Sequence, residues 1–139
     1  MKIVLRIAGK TQGKDRPKFD PRTRRAYSPP SNIISEADIR QIWREADEPR
    51  FEGKPPLRVL VCISVPRPNT HFNSKGELNK KGLEMRRPSN KKPDVDNAIK
   101  QIFDALNSRA YQDDVQIVET AVVRDWGEWP STLIVIEAV

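Results

Sequence analysis

The chain has 139 residues, of which 37% are hydrophobic and 32% are charged, so we expect a single domain over residues 1–139 with a modest core. The net charge of +6 and the sequence pI of about 9.7 indicate either an anionic partner, most simply nucleic acid, or a merely basic soluble protein. No apolar run approaches the ~20 residues that cross a bilayer, so the sequence predicts no membrane attachment.

Cysteine and histidine are each present once, which restricts the chemistry that the chain can carry out. Cys62 lies within the apolar run "LRVLVCISV", where we predict a small buried side chain. A lone cysteine excludes a disulfide within the chain, and with no signal-peptide pattern it predicts a cytoplasmic location. With His71 as the only histidine, a zinc site or a histidine relay lacks its ligands. Any catalysis must therefore use carboxylates and lysine.

The first third of the chain predicts one strand and one helix. "KIVLRIA" (2–8) alternates between apolar and polar residues, which is typical of a strand. Residues 9–32 are rich in Pro, Lys and Arg and are interpreted as a loop. A helix is predicted over 35–47, with Ser35 and Asp38 forming a capping box at its start.

The remainder predicts a buried strand at 57–65, a long loop at 66–93, a second helix at 94–107, and strands at 115–124 and 132–139. The apolar stripe of the second helix consists of Val95, Ile99, Ile102, Phe103 and Leu106. The order β-α-β-loop-α-β-β predicts an α/β (α+β) fold, in which two main helices pack on a mixed sheet of about four strands.

Four aspartates mark the edges of the second helix and the following strand. Structurally, Asp94 is explained as a helix N-cap, Asp96 by the helix dipole, and Asp113 and Asp114 as turn residues. As a group, they suggest a cation site. The two pairs meet only if residues 107–112 run back along the helix or if a second subunit supplies one pair.

Carboxylate ligands without Cys or His favour Mg²⁺, with Mn²⁺ as a substitute, and such an ion can polarise a phosphodiester. Lys100 follows Asp96 by four residues and either forms an ordinary salt bridge or places a fixed positive charge beside the phosphate. Asp104 continues the same helix face and is interpreted as structural.

Basic residues crowd the two long loops, where interleaved aromatic residues could stack on unpaired bases. The predicted DNA-binding residues are Lys10, Lys14, Arg16, Lys18, Arg22, Arg24, Arg25, Lys91 and Lys92. The second loop adds Lys75, Lys80, Lys81, Arg86 and Arg87, together with His71 and Phe72.

The segment "KPDVDNAIKQIFDALNSRAYQDDVQIVE" resembles the signature of the RusA family of Holliday junction resolvases. The shared pattern is D-x-D-N, a lysine four residues after the second Asp, D-A-L, an aromatic-bearing turn and D-D-x-Q-[IV]-[VI]. The stretches "KDRPKF" and "YSPP" are similar to those of phage-type members. The 66–93 connection is longer than in compact members of the family.

The resemblance implies a homodimeric, Mg²⁺-dependent crossover junction endodeoxyribonuclease that nicks four-way DNA junctions symmetrically, without a small-molecule cofactor. It assigns catalysis to Asp94, Asp96, Lys100 and Asp114, with Asp113 as a further metal ligand. A C₂ dimer fits two symmetric cuts. The alternatives are a non-catalytic nucleic-acid-binding module and a flap or fork endonuclease that uses the same acids.

Overall fold

The computed structural model describes residues 1–9, 18–22, 24–27, 30–90 and 94–139. Within these residues the chain forms six strands and three helices. The strands are β1 (Lys2–Ala8), β2 (Lys18–Asp20), β3 (Arg25–Tyr27), β4 (Leu57–Pro66), β5 (Ile117–Gly127) and β6 (Ser131–Ala138), and the helices are α1 (Pro30–Glu45), α2 (Lys80–Glu84) and α3 (Val95–Leu106). None of the helices in this part of the chain is both long and apolar enough to cross a bilayer.

Four strands form one mixed sheet in the order β1-β6-β4-β5. β4 pairs with β5 in parallel, whereas β6 pairs antiparallel with both β1 and β4. A parallel pair requires a crossover connection, and here α3 lies within it. The predicted mixed sheet of about four strands with two main helices is confirmed.

The core lies between one face of the sheet and the helices α1 and α3, which pack on each other. β4 alternates strictly: Val59, Val61 and Ile63 point into the core and are at most 4% exposed. Cys62 points to the other face and is exposed, so the prediction of a buried cysteine is wrong. The reason is that the described helices cover only one face of the sheet, so an apolar run need not be buried on both sides.

The outer face of the sheet carries ordered rows of side chains across the strands. One row is charged, because Arg58 bonds Glu119 at 2.6 Å and Glu137 at 3.3 Å. The next two rows are largely apolar by strand register, and Val4 and Val123 within them are 51% and 43% exposed. The members of this apolar sheet patch are Val4, Leu60, Cys62, Ala121, Val123, Leu133 and Val135.

Two predictions in the first third of the chain are wrong. α1 begins at Pro30, so Ser35 lies inside the helix and cannot form a capping box with Asp38. Proline suits the first helical position because its fixed φ is helical and its missing N–H would have no partner there. The predicted 9–32 loop also contains the short hairpin of β2 and β3, close to Arg24 at a φ of 54°.

The predicted loop at 66–93 is largely ordered over its described part, residues 66–90, which we call the excursion. A 3₁₀ turn at Asn69–His71 is followed by a bridge between Phe72 and Leu78. The Asn79 side chain then caps α2 by accepting a hydrogen bond from the backbone N–H of Gly82 at 2.9 Å. Local caps and bridges therefore give this connection its own structure.

The second predicted helix is confirmed as α3, but its buried face is shifted. The buried residues are Ala98, Gln101, Ile102, Ala105 and Leu106. Val95, predicted to lie on the apolar stripe, is 39% exposed at the first turn. The strand predicted from residue 115 begins at Ile117, because Asp114–Gln116 form a 3₁₀ turn first.

Candidate active site

The first pair of aspartates lies at the N-terminus of α3. Asp94 is the N-cap residue, with an extended backbone at φ −63° and ψ 148°, and its side chain makes no capping hydrogen bond to the helix. Asp96 follows in the first turn and is exposed. The helix end therefore places two carboxylates within three consecutive residues without using either of them as a side-chain cap. Exposed helix N-terminal N–H groups and the helix dipole favour this negative charge.

Lys100 lies one helical turn beyond Asp96 and is exposed. In the part of the chain that the structure describes, these two side chains form no ion pair within 4.0 Å, although their spacing would allow one. The structure therefore gives Lys100 no salt-bridge role toward Asp96. Its charge lies on the helix end that carries the two acids.

The second pair of aspartates is held by a turn whose hydrogen bonds are all local except one. The Gln116 side-chain oxygen accepts from the backbone N–H groups of Gln112 and Asp113, at 2.9 and 3.1 Å. Its amide nitrogen donates to the backbone carbonyl of Pro55 at 3.1 Å. The Asp113 carboxylate in turn accepts from the backbone N–H of Val115 at 3.2 Å. Asp113 therefore has the structural role of a cap in the described chain.

Asp114 lies in an acidic environment. Partial desolvation raises its pKa first, followed by the hydrogen bond and charge of Asp113 and then the charge of Asp104. Nearby Tyr111 is 1% exposed, and its hydroxyl donates to the backbone carbonyl of Phe103 at 3.3 Å. Burial, with the charges of Asp114 and Asp104, raises the pKa of Tyr111, which therefore stays protonated as a hydrogen-bond donor.

Among the described residues, the charged groups that raise the pKa of Asp114 are thus Asp113 and Asp104, not the acids at the start of α3. α3 has 12 residues and is about 18 Å long, and the Asp113–Asp114 turn follows its C-terminal end. Across residues 1–9, 18–22, 24–27, 30–90 and 94–139, no three His, Cys, Asp or Glu side chains are grouped to hold a metal ion. Within one protomer, the acids therefore form two separate groups.

Most of the predicted DNA-binding residues fall outside the residues that the structure describes. These are Lys10, Lys14, Arg16, Lys91 and Lys92. Lys18 and Arg25 lie in the hairpin strands β2 and β3, for which only the backbone is described. Arg22 and Arg24 lie in the turn between these strands and are exposed, as a phosphate-binding role requires.

Sequence reasoning missed the contributions of Gln116 and Tyr111 to the site. Gln116 is only 6% exposed, and it stands in the D-D-x-Q motif, where a polar residue at a strand start was a usable signal. Tyr111 was visible only as the aromatic residue of a turn. The role of each depends on backbone groups, at Pro55 and Phe103, that local sequence does not reveal.

Comparison with known proteins identifies the family. The family model described as "Endodeoxyribonuclease RusA" matches residues 8–137, which is nearly the whole chain. The chain belongs to the RusA endodeoxyribonuclease family, as its signature predicted. It is also 37% identical over 84 residues to the uncharacterized protein YqaN of Bacillus subtilis (strain 168). That match covers 60% of this chain and 58% of the length of YqaN.

Proposed function

We propose that this chain is a Mg²⁺-dependent endodeoxyribonuclease that resolves four-way DNA junctions by paired symmetric nicks, in DNA recombination and repair. The observation that carries the proposal is the pair Asp94 and Asp96 on the first turn of α3, one turn before Lys100, in a chain of the RusA family. The basic hairpin and loops would hold the DNA backbone. A cytoplasmic location remains a prediction of the sequence.

The donor set at the start of α3 suits a hard divalent cation. Asp94 and Asp96 offer carboxylate oxygens, and Mg²⁺ is typically held by one or two carboxylates, with water and substrate phosphate completing its octahedron. When bound, the ion would supply positive charge that polarises the phosphodiester and activates a water. Lys100 would contribute a second positive charge toward the phosphate, which is worth most where water is excluded.

A homodimer would explain how Asp114 could join these ligands. Each protomer carries its two acid groups at opposite ends of α3, so a complete set is more readily formed between two chains than within one. The apolar sheet patch, which the described residues leave partly exposed, is a surface that a second copy could cover. Since α3 packs on the opposite face of the sheet, covering this patch and sharing acids between chains are separate expectations of the dimer.

Two alternatives use the same surface. In a non-catalytic DNA-binding module, the acids would be caps and turn residues, and the capping bond of Asp113 favours this reading for that one residue. A flap or fork endonuclease would retain the chemistry and differ in substrate. The junction resolvase and the flap or fork endonuclease give Lys100 the same role, so the substrate must be tested directly.

A nicking assay on synthetic four-way, flap and linear duplex DNA, with and without Mg²⁺, tests the proposal. We expect paired nicks in the four-way junction that require the metal. Asp96→Asn should lower the nicking rate by more than about 100-fold while junction binding persists, because a ligand is lost but the basic surface is not. Absence of metal-dependent nicking by the wild-type chain on every DNA would favour the binding module. Cleavage of flaps alone would favour the flap or fork endonuclease.

A further inference from the structure

Two side chains, Arg67 at the start of the excursion and Trp126 at the end of β5, converge on the excursion. Arg67 donates through the same Nη1 to the carbonyl oxygens of Gly82 and Met85, at 2.8 and 3.3 Å. The Trp126 indole N–H donates to the same Met85 oxygen at 2.9 Å. The Arg67 guanidinium carbon also lies 4.9 Å from the centroid of the Trp126 ring, a cation–π distance. The position of the excursion on the sheet is therefore fixed by buried and half-buried polar contacts.

An open cleft of about 350 Å³ lies where the excursion meets the ends of β4 and β5. Its lining residues are Pro66, Arg67, Phe72, Trp126, Gly127 and Glu128. Phe72 is 37% exposed and Trp126 is half-buried, so two aromatic side chains contribute to one small concave surface. We call this surface the aromatic cleft.

The chemistry of the aromatic cleft suits a heterocyclic base better than a phosphate. Arg67 already donates to two carbonyls and lies against Trp126, so it forms one side of the cleft and is not needed as a phosphate ligand. The other charged lining residue is Glu128, whose carboxylate repels phosphate but accepts hydrogen bonds from amino and imino groups. Aromatic side chains stack on bases of any sequence because every base has a π face. The volume is that of a small-ligand site.

A second open cleft, of about 330 Å³, lies on the same excursion and is basic. Its lining residues are Lys81, Glu84, Met85, Arg86, Arg87 and Ser89. Arg86 and Arg87 are exposed, and neither forms an ion pair with any residue that the structure describes. Three cations against one acid suit a phosphate backbone. Met85 lines this basic cleft and, through its carbonyl, holds Trp126 of the aromatic cleft.

Both clefts lie at the edge of the sheet from which α3 starts. Arg124 of β5 donates to the carbonyl of Pro88 at 3.0 Å, which fixes the chain six residues before Asp94. Six residues span at most about 20 Å, so Asp94 and Asp96 lie within a few nucleotides of the excursion. The exposed aromatic and basic side chains are thus near the proposed scissile phosphate.

We propose that the excursion reads unpaired DNA: the aromatic cleft stacks one unpaired base, and the basic cleft holds the adjoining backbone. This inference rests on the proposed function and adds a feature that distinguishes a branch point, where base pairs can open, from an intact duplex. Phe72 and Trp126 supply the stacking surface, and Glu128 accepts from the edge of the base. Lys81, Arg86 and Arg87 neutralise its phosphates.

The test measures binding in the absence of metal, so that cleavage does not interfere. Fluorescence anisotropy is recorded for a four-way junction, a duplex with one unpaired base, and a fully paired duplex. Phe72→Ala should weaken binding to the first two DNAs by about 5- to 100-fold and leave binding to the paired duplex within about twofold. Phe72→Leu keeps the apolar bulk without the ring and should show the same selective loss. Leu83→Ala, on the same excursion and 63% exposed, is the matched control and should bind all three DNAs normally.

Two results would overturn the inference. One is wild-type affinity of both Phe72 variants for the DNA with an unpaired base. The other is an equal loss on unpaired and fully paired DNA, which would make the cleft a general DNA contact. Because the assay needs no cleavage, its outcome is separate from that of the nicking experiment. A chain that never nicks DNA but shows the selective loss would contradict the proposed function and retain the base-binding cleft.

Discussion

The side-chain oxygen of Gln116 accepts a hydrogen bond from the backbone N–H of Asp113 at 3.1 Å, so that a buried amide holds the turn that presents Asp114. The same side chain ties this turn to Pro55, just before β4. The glutamine of the D-D-x-Q motif is therefore a positioning residue. It fixes two acids relative to the parallel strand pair without approaching a phosphate itself.

Gln116→Ala should lower the free energy of unfolding by about 1–3 kcal/mol, because two backbone N–H groups lose their acceptor in a half-buried turn. Urea denaturation in EDTA measures this change in the absence of metal. Val115→Ala, at a neighbouring side chain that is 75% exposed, is the control and should change stability by less than about 0.5 kcal/mol. Equal changes in the free energy of unfolding for the two substitutions would contradict the positioning role of Gln116.

Val123→Asp tests whether the apolar sheet patch holds a second copy of the chain. Val123 is 43% exposed and pairs with Cys62 in the strand register, so a carboxylate there would be buried without a partner in a face-to-face dimer. We expect a dimer for the wild-type chain and a monomer for the variant in light scattering. Leu83→Asp, on the excursion, should remain dimeric. A Val123→Asp variant that stays dimeric would place the interface elsewhere.

Mixing two inactive variants tests whether each site draws its acids from both protomers. If each site takes residue 96 from one chain and residue 114 from the other, a heterodimer of Asp96→Asn with Asp114→Asn has one site with both acids intact. Its second site has both acids substituted. We expect the mixture to recover nicking of one strand per junction, whereas each variant alone stays inactive. No recovery, with subunit exchange confirmed by mass after isotope labelling of one variant, would mean that both acids of a site belong to one chain.

Titration of Asp114 should make stability depend on pH. Desolvation, Asp113 and Asp104 raise its pKa above the ordinary value of 3.8. Between that value and the raised one, the folded chain keeps a proton that the unfolded chain releases, so this group lowers stability as pH rises. Relative to wild type, Asp114→Asn should therefore gain stability from about pH 4 upward, measured by urea denaturation in EDTA. Carboxyl NMR supplies the control, since Asp104→Asn should lower the pKa of Asp114. A pH-independent difference would contradict the shift.

The sequence predicted the features that depend on local pattern. A polar residue before a helical stripe identified Asp94 as the N-cap, and alternation identified β1. Features set by distant partners were not predicted. Cys62 lies in an apolar run, yet the position of the helices on one face of the sheet decides its exposure. α1 starts at Pro30, earlier than predicted. Proline fits the first helical position, and Ser35, which was predicted to begin the helix, lies within it.

The same limit applies to the two halves of the candidate site. The short spacing of Asp94, Asp96 and Lys100 on one helix could be deduced from the 3.6-residue period. The environment of Asp114 could not be deduced in this way. It depends on the charge of Asp104 in α3 and on the hydrogen bond from Gln116 to Pro55, two residues that are 61 positions apart in sequence. Order in the excursion likewise depends on a contact between Met85 and Trp126 that spans 41 positions.

The single Met85 carbonyl that receives both Arg67 and Trp126 has a consequence for the order of folding. One donor, Arg67, directly follows β4, and the other, Trp126, lies at the end of β5, so the excursion closes only when the ends of these two parallel strands lie side by side. It should therefore assemble last and exchange its amide hydrogens first, as a late cooperative unit on an already formed sheet. In such a protein, the segment that distinguishes substrates can open and close while the strands that carry it stay intact.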